Sequence, residues 1–164
     1  MYRLLLFIPL ALLLVAFQAS ALNSLTLAGG RIDIIIISLV LLTLYASLEL
    51  GILATVLVAP LVDVLSGLPL GVSIIPMLSV VLLAHWGGRT IFGARLGWPV
   101  VIIFLGVLVA GLITMTELAI LGLELPWTDI ILHNLIPSAF FNALAALLIY
   151  LPIVILGERR ETHL

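Results

Sequence analysis

Unbroken apolar sequence is the feature that most limits what this chain can fold into. From Arg31 to Arg89 only Asp33, Glu49 and Asp63 carry charge, and from Leu96 to Thr116 nothing does. With 65% of 164 residues hydrophobic, 9% charged and a mean hydropathy of +1.47, there is too little polar surface to cover a water-soluble globule. The chain therefore reads as an all-α, polytopic integral membrane protein, because a membrane helix satisfies its own backbone hydrogen bonds. There are no cysteines, so neither a disulfide framework nor a thiolate metal site is available.

Asp63-Val64-Leu65-Ser66-Gly67-Leu68-Pro69-Leu70-Gly71 brings an acid, a hydroxyl, two glycines and a proline together inside apolar sequence. Gly67 suits a left-handed helix cap and Leu68-Pro69 resists helix continuation, so this stretch reads as a tight turn between two membrane helices. A carboxylate at true bilayer depth costs roughly 2.5–3.5 kcal/mol on insertion scales. Asp63 is accordingly expected near the interface or paired, with the structural role of accepting the backbone N–H groups of the turn.

Around that turn the pattern predicts six helices, at about residues 2–21, 32–48, 51–65, 72–86, 99–121 and 137–156. The first imitates a signal peptide, with Arg3, an apolar middle and Ala19-Ser20-Ala21, but is read as retained. Residues 22–31 form a polar loop. Asp33 opens the second helix, where a carboxylate complements the helix dipole. The third helix is short for a span of ~30 Å at ~1.5 Å per residue, which leaves open a start at or before Glu49. His85 to Pro99 reads as a basic, aromatic-flanked connection. Residues 123–136 read as an interfacial or re-entrant segment, with Pro137 in the first turn of the last helix.

Six spans put both termini on one side. With the termini cytoplasmic, Arg3, Arg89, Arg95, Arg159 and Arg160 lie inside and only Arg31 outside, as the positive-inside rule requires. That topology gathers Asp63, Ser66, Ser73, Thr114, Thr116, Glu117, Ser138 and Asn142 into the outer half of the membrane, where polar groups favour one another. Asp63, Glu117, Ser138 and Asn142 are the candidate partner-binding or substrate-binding layer; the structural alternative is that they cap helices and hold the bundle together. Ser138, Asn142 and Ala146, with Ala139 and Ala143, form a small-residue face suited to close helix packing, as do Gly106 and Ala110.

Enzyme templates fail. His85, His133 and His163 fall in separate segments without metal-ligand spacing, and no nucleophile motif or phosphate-binding glycine loop is present. Asp63 with Glu117 is the nearest approach to a catalytic pair. The expectation is a protein that is not an enzyme and uses no cofactor or metal.

The Asp63, Ser66, Gly67, Pro69, Gly71 turn, followed by Pro137 and Asn142 opening the last helix, resembles the bacterial rod shape-determining protein MreD family over nearly the whole chain. The resemblance implies a non-enzymatic component of the cell-elongation (rod) complex in the bacterial inner membrane. It implies direct binding to MreC and, through it, a complex with MreB, RodA and a class B penicillin-binding protein. The family is also similar in fold to the substrate-binding subunits of energy-coupling factor vitamin transporters, the alternative function. A small channel or proton-coupled transporter using Asp63 and Glu117 is a third reading.

Overall fold

The computed structural model describes residues 13–18, 20, 26–27, 29–90 and 97–161. Arg3, Arg95, His163 and most of the expected first helix lie outside the described residues. The described chain is helical apart from turns and one two-residue hairpin, so the all-α class holds. Helix α1 is described over residues 13–17. Strands β1 (Thr26–Leu27) and β2 (Gly30–Arg31) pair antiparallel, Thr26 opposite Arg31, where a plain loop was expected.

Helix α2 (Ile34–Tyr45) starts where Asp33 caps it, its Oδ1 accepting the N–H groups of Ile35 and Ile36 at 3.0 and 3.1 Å. Ala46 and Ser47 alone separate it from α3 (Leu48–Ser66), which Ser47 caps through Oγ to the Leu50 N–H. Glu49, expected in the connection, sits in the first turn of α3, where its charge complements the dipole. Gly51 is what lets these helices touch: a methyl group there would strike the Thr43 hydroxyl.

Helix α4 (Ile74–Thr90) runs past Trp86, where the sequence reading ended it. Gly87 and Gly88 look like loop residues in sequence, yet here they admit neighbours. A Cβ on Gly87 would lie 3.3 Å from Ile102, one on Gly88 2.6 Å from Leu44, and the Gly87 carbonyl accepts the Trp98 indole N–H at 2.7 Å. Helix α5 (Trp98–Ile120) begins with a first-turn proline and ends on Gly122 at φ +89°, with the Leu123 N–H returning to the Leu118 carbonyl.

Residues 123–136 differ most from expectation. Helix α6 (Trp127–Ile130) passes through a π turn, Ile131–Leu135, directly into α7 (Ile136–Glu161), so the last helix begins ten residues before Pro137 rather than at it. Pro137 has no N–H with which to continue the α-helical ladder. The wider turn just before it, closed by the Ile136 N–H to the Ile131 carbonyl, carries the helix through without a break.

Among the described residues three helices are long and apolar enough to cross a membrane: Leu48–Ser66, Trp98–Ile120 and the continuous Trp127–Ile149. Ile34–Tyr45 and Ile74–Gly88 are shorter apolar helices. This is the composition of a membrane protein. α2 and α4 are the inner helices, shared by two packed clusters. Ile36, Ile37 and Val40 of α2 with Val80 and Ala84 of α4 meet α5 and α7, while Ile35, Leu39, Met77 and Val81 meet α1 and α3. The isoleucine run of α2 is thus explained by burial on both sides. Large apolar side chains such as Phe140, Leu144 and Leu148 stay exposed on the outside of the bundle, as lipid-facing residues do.

Candidate functional site

One end of the bundle collects the hairpin, the α3–α4 turn and the α5–α6 link, and with them the buried polar residues Asp63, Ser73 and Asn142; the buried Thr43 and Thr55 lie nearer the α2–α3 link and bond to their own helices. Asp63 is fully buried in the last turn of α3. Its Oδ2 accepts the Gly71 N–H and its Oδ1 the Ser73 N–H, at 2.6 and 3.0 Å. Gly67 takes φ +68°, and the Leu68 N–H returns to the Asp63 carbonyl at 2.9 Å, the six-to-one bond of a glycine-capped helix end. Gly71 stands at φ +100°. Both carboxylate oxygens are therefore occupied by backbone donors of the turn. Ser66 and Pro69 are exposed and belong to the turn's outer surface, together with Val64, Leu65 and Leu70.

A second polar centre lies where the hairpin meets α7. Asn142 is completely buried: its Nδ2 donates to the Arg31 and Ser138 carbonyls, both at 2.8 Å, and its Oδ1 accepts the Asp33 N–H at 2.7 Å. Ser138 Oγ accepts the Arg31 N–H at 2.9 Å and donates to the Asn134 carbonyl at 2.6 Å. From the other side Gln18 donates to the Ile32 carbonyl and accepts the Ile34 N–H. Extended backbone entering a helix inside a membrane protein has few partners of its own, and these three side chains supply them. Gly29 and Gly30 let the hairpin lie directly on the start of α7. A methyl group on Gly29 would collide with the His133 carbonyl oxygen, and one on Gly30 would stand 2.7 Å from the Ser138 nitrogen.

Beneath this junction is a cavity of about 320 Å³. Arg31, Asp33, Ser73, Thr114, Asn134, Ser138 and Asn142 contribute to its wall, and Ile36, Met77, Val107, Met115 and Leu135 supply much of the rest. Arg31 and Asn134 are exposed and mark its mouth.

The expected outer layer is thus divided. Ser73, Thr114, Ser138 and Asn142 share the cavity, whereas Asp63 and Glu117 are not part of its wall. Glu117 is half-buried on α5, and its enclosed Oε2 takes no hydrogen bond from a described residue. Thr116 is exposed and donates to its own helix at Leu112. Ala139, Ala143 and Ala146 are buried inside the chain, so the small-residue face of α7 packs within the bundle. Gly106 faces Val80 of α4. Among the described residues no group of three or more His, Cys, Asp or Glu is placed to hold a metal.

Gln18, Arg31, Asp33 and Asn134 were not among the predicted site residues. Asn142 carried a signal in sequence, as a lone amide on an alanine-rich helix face; its partners, more than a hundred residues away, did not. Comparison with family models, with curated proteins and with solved structures finds no match to this chain.

Proposed function

We propose that this chain is a non-enzymatic membrane component of the bacterial cell-elongation complex, similar to the MreD family. In this reading it crosses the inner membrane six times with both termini in the cytoplasm. It binds MreC and, through it, works with MreB, RodA and a class B penicillin-binding protein to organise peptidoglycan synthesis. The α3–α4 turn is the observation that carries the reading. Its acid and its backbone donors satisfy one another inside, and what it offers outward is Leu70, 72% exposed, with Val64 and Leu65. A surface of that kind suits docking against another protein rather than acid–base chemistry.

Affinity purification from the native membrane tests the proposal. MreC is expected to co-purify with the wild-type protein, to be lost with Asp63→Leu or Leu70→Glu, and to be retained with Arg160→Ala. Recovery of a transport ATPase pair in place of MreC, or MreC binding that survives both turn substitutions in well-expressed protein, overturns it.

The cavity favours a second reading, the substrate-binding subunit of a vitamin transporter. At about 320 Å³ it sits at the lower end of the ~300–1,000 Å³ typical of small-molecule pockets. Ser138 and Asn142 in its wall already hold the hairpin. The reading therefore stands second, and a tightly bound vitamin in the purified protein would promote it.

A further inference from the structure

The hairpin-end cavity is lined by two charged residues, Arg31 and Asp33, whose side chains keep hydrogen-bonding capacity that the fold does not use. Arg31 contributes its backbone N–H and carbonyl to the α7 junction, while its guanidinium makes no hydrogen bond or ion pair with a described residue. Asp33 uses Oδ1 for both cap bonds to α2, and its Oδ2 likewise takes nothing from a described residue. Asn142 and Ser138 hold the backbone of this very segment, Arg31 through Asp33, against α7. The backbone of an arginine and of an aspartate is thereby held two residues apart at one cavity wall, and their side chains do not pair with each other. Ser73 lines the same cavity, its backbone N–H given to Asp63. Behind these polar groups the wall is apolar, with Met77, Val107 and Met115.

Separated unlike charges above an apolar floor select for a ligand with the complementary pair. A purely anionic ligand would meet Arg31 but be repelled by Asp33, and an apolar one would leave both without a partner. We propose that this cavity binds a zwitterion bearing an apolar group, its anion on the Arg31 guanidinium and its ammonium on Asp33 Oδ2. Two sources have that chemistry. A phosphoethanolamine lipid headgroup would bring an acyl chain, and a free amino acid would bring an apolar side chain. The volume of about 320 Å³ accommodates either and is small for a polycyclic cofactor. The site goes beyond the elongation reading and does not depend on MreC, so the two fail separately.

The test is native mass spectrometry on the delipidated full-length protein, offered phosphatidylethanolamine, phosphatidylglycerol of the same acyl chains, or leucine. Asp33→Asn removes the charge but keeps a side-chain oxygen that caps α2 as well as aspartate does. Arg31→Gln removes the guanidinium and keeps the backbone bonds to Ser138 and Asn142. Phosphatidylethanolamine is expected to be retained at least ten-fold over phosphatidylglycerol, with each substitution reducing that ratio to near one. Leucine retention lost in both variants, without a preference between the lipids, supports the same site and assigns it to a free zwitterion. Equal retention of both lipids together with no leucine binding overturns the proposal, as does a zwitterion preference that survives Asp33→Asn.

Discussion

Asp63 shows how a charge is carried in an apolar helix without serving as a reactive group. Its two oxygens each take a backbone N–H, and charge-assisted bonds of this type contribute about 1.5–3 kcal/mol apiece. In Asp63→Asn one of the two N–H groups must face an amide NH₂. The expected loss is about 2–3 kcal/mol, read as a lower midpoint of thermal unfolding in detergent. Gly67→Ala is the milder neighbour: a methyl group there meets nothing within 4 Å, so only the left-handed backbone opposes it, at roughly 1–2 kcal/mol. If Gly67→Ala unfolds at a lower temperature than Asp63→Asn, backbone geometry rather than the buried carboxylate holds the turn. Asn142→Leu removes three bonds at roughly 0.6–1 kcal/mol each, the range measured for polar contacts in membranes and in water, and leaves the Asp33 N–H without its acceptor. Its expected cost is about 2–3 kcal/mol. Faster exchange of the Asp33 amide should accompany it, while the Arg31 amide stays on Ser138 Oγ.

At the scale of elements, glycine decides which helices can meet. Gly51 brings α3 onto α2, Gly87 and Gly88 bring α4 against Trp98 of α5 and Leu44 of α2, and Gly111 receives Leu135 from the π turn. Gly51, Gly87 and Gly88 lie in sequence that reads as a connection, because propensity alone scores glycine as a breaker. Such a residue in a membrane helix instead permits approach, which is why α4 runs on to Thr90. The hairpin is the extreme case, its backbone resting on the backbone of α7. Gly30→Val should force the two apart without touching the α2–α5 core. The expected result is a protein that stays folded by circular dichroism while protease cleavage near residues 26–31 rises at least several-fold. Unchanged cleavage would mean that the close approach at Ser138 is not what seats the hairpin.

Across the whole molecule the described helices alternate direction, so that the hairpin, the α3–α4 turn and the α5–α6 link share one end and the α2–α3 link and the start of α5 share the other. The absence of cysteine makes this arrangement measurable. In a six-span protein with cytoplasmic termini, Ser66→Cys and Glu124→Cys react with an impermeant maleimide added outside intact cells, whereas Gly97→Cys reacts only after the membrane is opened. The opposite labelling inverts the proposed topology. Much of this was present in the chain before any folding. Long charge-free runs leave the membrane as the one solvent that suits them, and the Asp63 to Gly71 turn is local: its acceptor, its glycine and its donors lie within ten residues, so sequence order brings them together. The cavity is different in kind. Arg31 and Asp33 meet Ser138 and Asn142 across more than a hundred residues, and Ser73 and Thr114 arrive from two further helices. Topology alone gathered Ser73, Thr114, Ser138 and Asn142 into one layer, but nothing in periodicity or spacing brings Arg31 and Asp33 to them, because that depends on the close seat of the hairpin on α7. Sequence by itself determined the solvent and the turn; only tertiary packing decided that Arg31 and Asp33 line the same cavity as Ser138 and Asn142.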